Sequence, residues 1–286
     1  MSSVSTAPPG FEKWIGRQTQ AEDVVSERLV ASFRAIFGPN LVRLDKELAP
    51  LGIHWCLCPA IADMAELGPD GHPAKNLDFP PIPLPRRMWA GGQVQTFDPL
   101  RIGDRVKRVS TIAGITRKEG RSGELWFLNL EHDYSTHRGP ALRERIDLVY
   151  REAAKRGPSV PKALGAPAEP GRPHGQVWTV ATPTTLLFRY SAITFNGHRI
   201  HYDFPYATAE EGYDGLVVHG PIQATLLLNL AATTSRATPP AFRYRGVAPA
   251  IAGVELKVIA GTGAVQGAFW TEGPGGTRHM EASILS

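Results

Sequence analysis

The stretch from Gly220 to Ala232 constrains this chain most. Ile222, Ala224, Leu226, Leu227, Leu228, Leu230, Ala231 and Ala232 point in every direction around a helix of that length. A helix without a polar face must be surrounded, and Gly220-Pro221 suits its first turn. Downstream, Ala241 to Gly246, Gly253 to Ala260 and Gly263 to Trp270 read as short strands between turn residues; upstream, a strand is expected around Leu186 to Ser191.

The first part of the chain repeats that order. Thr19 and Glu22 have capping-box spacing ahead of Val25, Leu29, Phe33 and Ile36, which predicts a helix ended by Gly38-Pro39. Leu51 to Leu67 reads as buried and partly helical, and Gly68 to Gly92 as a Pro/Gly-dense loop. Gln93 to Phe97, Arg105 to Thr116, Leu125 to Tyr134 and Arg143 to Tyr150 then read as antiparallel strands. The expected organisation is a disordered start (1–18), an N-terminal unit (19–155), a linker (156–175) and a C-terminal unit (176–286). Each unit is expected to be α+β, a curled antiparallel sheet around a long buried helix.

Composition narrows the function. With 31 Lys+Arg against 27 Asp+Glu the net charge is only +4 and the arginines are scattered, so a nucleic-acid partner is not expected. No run of 18 apolar residues predicts a membrane span. Cys56 and Cys58 are one residue apart, poor geometry for a mutual disulfide, and no Cys/His group has zinc spacing. With no signal-peptide pattern at the start, a reducing, cytoplasmic location is expected.

The segment from Ser191 to Asp203 carries the chemistry. Asn196, His198 and His201 crowd a loop ahead of the apolar helix, and His219-Gly220 stands at the helix entrance. A neutral imidazole shuttles a proton well, and N–H groups at a helix start hold an oxyanion. Residues alone leave two roles for each. His201 is a proton carrier or a loop histidine bonded to a carbonyl, and Asn196 holds a water or makes a turn. His198 and Asp203 assist, or close hydrogen bonds within the loop. Gly220 clears space for a substrate oxygen, or only shapes the cap. Arg199 meets an anionic ligand end or is solvated. Arg86, Arg87 and Trp89, in the string Pro83-Leu-Pro-Arg-Arg-Met-Trp89, clamp a nucleotide or pack on their own sheet.

At these residues the chain resembles the MaoC-like hydratases and dehydratases, whose motif runs Asp-x-Asn-Pro-x-His, then a hydrophobic residue and Asp. Set on His201-Tyr202-Asp203, the motif puts its Asp on Asn196, its Asn on His198 and its Pro on Arg199, and its later His-Gly on His219-Gly220. The form Phe195-Asn-Gly-His-Arg-Ile-His-Tyr-Asp203 is similar to a subgroup: type 2 hydroxyacyl-thioester dehydratases and the mesaconyl-C4-CoA and itaconyl-CoA hydratases. Asp70-Gly-His-Pro73 and the Pro80 to Gly92 string resemble the bacterial members.

The resemblance implies a tandem (double) hotdog fold and reversible hydration of a double bond beside a CoA thioester. CoA is then part of the substrate, with no metal or other cofactor, and a homodimer is compatible. His201 is implied as the catalytic base. Asn196, which cannot be a base, positions water, and His198, Asp203 and Gly220 support them. Arg199 is expected on a distal carboxylate, and Arg86, Arg87 and Trp89 on the CoA nucleotide. The leading expectation is mesaconyl-C4-CoA to citramalyl-CoA. The alternatives are an (R)-3-hydroxyacyl-thioester dehydratase of fatty acid metabolism and a non-catalytic acyl-CoA-binding protein.

Overall fold

The computed structural model describes residues 7–75, 77–120, 123–152 and 174–285. Its first half runs β1 (Gln18–Val24), α1 (Glu27–Phe37), β2 (Arg86–Thr96), β3 (Arg105–Gly120), β4 (Gly123–Thr136) and β5 (Gly139–Arg151). The second runs β6 (His174–Val180), α2 (Thr184–Thr194), α3 (Gly220–Ser235), β7 (Ala241–Gly246), β8 (Leu256–Gly261), β9 (Ala268–Glu272) and β10 (Arg278–Leu285). All strands join one antiparallel sheet in the order β1-β3-β4-β5-β2-β7-β10-β9-β8-β6. The last five mirror the first five strand for strand. The halves meet where Gly91 to Gln95 of β2 pair with Ala241 to Arg245 of β7.

Helix α3 packs against β7, β8, β9 and β10, and every residue from Ile222 to Ala232 is buried. Of its buried polar side chains, Gln223 and Asn229 are hydrogen-bonded, while Thr225 Oγ1 has no partner among the described residues. The Gln223 Oε1 accepts from Thr271 Oγ1 at 2.6 Å, and Asn229 Nδ2 donates to the Thr225 and Leu51 carbonyls. The Asn229 Oδ1 accepts from Val42 N–H at 3.1 Å, tying the helix to the first half.

The corresponding stretch of the first half, between α1 and β2, has no such helix. Among the described residues, 38–85 hold only short 3-10 turns at Gly38–Asn40, Ile53–Cys56 and Met64–Glu66. Pro59, Pro69, Pro73, Pro80, Pro81, Pro83 and Pro85 remove the donors that a helix needs. The inner face of β3–β5 is therefore covered only at its ends. Helix α1 and Ile53 to Cys58 pack on Val106, Tyr134 and Leu142, while Trp14, Ile82 and Leu84 pack on Trp126, Leu128 and Tyr150. Between them Ile112, Leu130, Ile146 and Leu148 border a cavity.

Local readings needed correction. Thr19 to Glu22 belongs to strand β1, and the cap of α1 is Ser26, whose Oγ accepts from Leu29 N–H. Leu186 to Ser191 lies in helix α2, where Leu187 and Tyr190, three residues apart, are the buried pair and Phe188 faces out at 67% exposure. Strand β2 starts at Arg86, inside the expected loop, because β5 and β7 take up both its edges. Near the start, residues 1–6 lie outside the described residues, while Glu12–Trp14 makes a turn with Trp14 buried. The expected linker lies outside the described residues up to 173, and β6 begins at His174.

Candidate active site

Helix α2 ends at Phe195, which takes a left-handed conformation and turns the chain into the loop that carries Asn196, His198 and His201. Two contacts lock His201. Val217 N–H donates to Ile200 O at 2.9 Å, and His201 Nδ1 lies 2.7 Å from Val217 O. A carbonyl can only accept, so Nδ1 carries the proton and Nε2 keeps its lone pair. Burial pushes the His201 pKa down to about 4, so the ring is neutral at neutral pH. It is 7% exposed and lines a cavity of about 1000 Å³ shared with Asn196, His198, His219 and Gly220.

Each neighbour is fixed in turn. The Asn196 Oδ1 accepts from His198 N–H at 3.0 Å, which leaves its amide hydrogens for the cavity. His219 stacks on His201 with centroids 3.5 Å apart, and its Nε2 lies 2.9 Å from Ser191 Oγ. Gly220 opens α3, whose first N–H groups have no partner within the helix. A Cβ there would lie 2.4 Å from Trp89 Cε3.

The first half closes the site. A Cβ on Gly71, at φ +84°, would lie 1.9 Å from Gly197 O, so the loop of Asp70 and His72 meets the His201 loop backbone to backbone. Arg199 N–H donates to Asp70 O at 2.9 Å beside this contact. The His72 ring lies against His198 (4.1 Å), which is edge-on to His201 (5.3 Å). Asp70 takes His72 Nδ1–H at 2.9 Å on one oxygen and His72 N–H at 3.0 Å on the other. Burial and the Arg87 charge, opposed by Asp70, bring the His72 pKa to about 4, so its Nε2 is also a free acceptor. Asp70, His72 and His198 hold potential ligand atoms within 4.8 Å of one another, but the internal hydrogen bond and the Arg87 charge give the group an acid–base rather than a cation-binding character.

The other expected residues have partners of their own, and Arg86, Arg87 and Trp89 also line the cavity. Arg199 bonds to Asp203 at 2.7 and 2.9 Å and to Pro69 O, away from the cavity lining. Asp203 also accepts Tyr206 N–H, so it closes the loop. Arg86 is paired with Glu211 at 2.6 Å and lies over Tyr213. Trp89 stacks on Tyr244 at 4.5 Å. Arg87 lines the cavity with its guanidinium over Phe79. Sequence reasoning did not assign His72 to the site. Its signal was the Asp70-Gly-His-Pro73 string, in which the glycine permits the close approach.

Residues 52–252 match the family described as hydroxyacyl-thioester dehydratase type 2. The chain belongs to this family. It is 38% identical to the mesaconyl-C(4)-CoA hydratase of Chloroflexus aurantiacus, over 95% of this chain and 96% of that protein. A MaoC-like dehydratase structure from Phytophthora capsici has TM-score 0.65 at 14% identity, covering 96% of each chain. A double-hotdog protein of Mycobacterium tuberculosis has TM-score 0.55 at 14% identity, covering 94% and 96%. The expected double hotdog is thus shown, and as a member of this family the chain is a hydro-lyase. Among the described residues no helix is long and apolar enough to cross a membrane.

Proposed function

We propose that this protein adds water reversibly to a C4 dicarboxylic enoyl-CoA, converting mesaconyl-C4-CoA to citramalyl-CoA. The observation that carries the reading is a neutral, carbonyl-anchored His201 in one cavity with the Asn196 amide and the free N–H at Gly220. Asn196 and His201 hold one water over the β-carbon. His201 Nε2 takes a proton as the water oxygen bonds to that carbon, and the double-bond electrons move onto the thioester as an enolate. The N–H of Gly220 steadies the enolate oxygen, and His201 returns the same proton to the α-carbon. No proton is gained or lost, and the step calls on no metal or redox group.

The first half shapes the acyl chamber and the second supplies the loop and the helix end. The relative's name supports the acyl group, and free, buried Cys56 and Cys58 fit a reducing cytoplasm. A second reading, dehydration of longer (R)-3-hydroxyacyl thioesters, is favoured by the apolar bordering of the chamber by Ile112, Leu130, Ile146 and Leu148.

Absorbance of the enoyl-thioester band tests the choice, with mesaconyl-C4-CoA, crotonyl-CoA and a longer enoyl-CoA in parallel. Rapid loss with the diacid thioester, abolished in His201→Ala, is expected. Turnover of only the monocarboxylic thioesters selects the second reading, and no turnover of any selects the binding protein.

A further inference from the structure

Five arginines line the cavity: Arg17, Arg86, Arg87, Arg108 and Arg151. A carboxylate on the β-carbon would need a cation close to His201, and four of the five serve elsewhere or lie further along. Arg86 is neutralised by Glu211, Arg17 lies over Trp14, and Arg151 reaches Met88 Sδ. Arg108 sits beside Tyr134 and Cys58, with His132 and the Glu144 carboxylate within range of its charge. Arg87 is different. It projects from β2 opposite Tyr150 and stands over Phe79 at 5.2 Å. Its charge reaches His72 and His198, the two rings that lead to His201.

Among the described residues no carboxylate forms an ion pair with Arg87. Asp70 lies within range of its charge, but both oxygens are turned to His72. A half-buried guanidinium without a counter-ion is costly, and it becomes favourable once an anion enters. We propose that Arg87 is the counter-ion for a carboxylate on the β-carbon of the acyl group, which selects C4 dicarboxylic thioesters over their monocarboxylic counterparts. A free carboxylate there pushes charge toward the carbon that water must attack. Pairing it with Arg87 removes that opposition, so the effect reaches turnover as well as binding.

The proposal rests on the hydratase reading above, and binding separates the two. Succinyl-CoA and butyryl-CoA, saturated thioesters differing in that one carboxylate, are competed against the wild type, Arg87→Gln, Arg87→Lys and Arg108→Gln. Turnover of mesaconyl-C4-CoA and crotonyl-CoA is measured alongside. The wild type should prefer succinyl-CoA, and Arg87→Gln should lose roughly 10- to 100-fold of that preference and of diacid kcat/KM, crotonyl-CoA falling far less. Arg87→Lys, which keeps the charge, should fall between them and serves if the Gln variant does not fold. Equal weakening of every CoA ester would make Arg87 a nucleotide clamp and overturn the proposal, as would a switch produced by Arg108→Gln instead. A wild type that prefers succinyl-CoA yet leaves mesaconyl-C4-CoA unchanged would sink the reaction and leave the Arg87 assignment standing. Diacid hydration with an unaltered preference in Arg87→Gln would do the reverse.

Discussion

Both halves wind five strands in the same order, yet only the second threads a sixteen-residue helix through its sheet. That helix packs on its sheet, buried from Ile222 to Ala232, and its first turn lines the cavity. The other sheet, spanned by proline-broken chain, keeps a hollow beside it. One fold unit repeated with a single element changed thus yields a packed support and a chamber, and the site lies where they touch.

The largest effect expected is one that strikes both halves together. His54, His72, His132 and His201 are held neutral, chiefly by burial, with pKa values of about 3, 4, 3 and 4. The unfolded chain binds protons at 6.5, so stability is complete above that pH and is lost as pH falls toward 4, at roughly 1.4 kcal/mol per pH unit per ring. Tryptophan fluorescence should show one cooperative acid transition between about pH 6 and 4.5; two separate transitions would mean that the halves unfold independently. Glu144 opposes this weakly. Burial raises its pKa to about 7, so its own contribution falls as pH rises from the carboxylate range to 7.

The chemistry should break hardest on the second half. His201→Ala should lower kcat by roughly 10³-fold with the far-UV circular dichroism unchanged. Next in size is packing. Leu227→Ala, at 0% exposure in α3, should cost about 3–5 kcal/mol in urea unfolding, and Leu130→Ala, bordering the hollow, clearly less. Equal costs would show the chamber to be as tightly packed as the helix. Smallest is the seam. The Glu144 Oε1 accepts from Trp55 Nε1 at 2.6 Å and from Tyr244 Oη at 2.9 Å, across the halves. Glu144→Leu leaves both donors unmet and should lower stability by about 1–3 kcal/mol, whereas Glu144→Gln keeps an acceptor and most of that stability.

What the residues disclose follows from range. The helix Gly220 to Ala232 was legible because its pattern admits one environment, and Ala241 to Gly246 because turn residues bracket it. Leu186 to Ser191 misled because Leu-Leu-Phe suits a strand, and only tertiary packing on Leu187 and Tyr190 decides for helix. Thr19 and Glu22 misled because the partner strand β3 lies over eighty residues away. In the site, Asn196 and His201 were marked by local spacing. His72 arrives from 126 positions before His198, through a glycine contact that no local pattern encodes. Arg199 is paired with Asp203, four residues on, a partner supplied by its own loop.

The meeting of Gly71 with Gly197 leaves no slack between the halves. Where two side chains touch, rotamers absorb a small misalignment; two bare backbones have none to give. The reactive geometry is therefore hostage to how well one half is seated on the other. Gentle heat, pressure or dilute denaturant that merely loosens the seat should silence the protein while every strand is still in place, and halves made as separate chains would have to find each other again to within a fraction of an ångström before either could work.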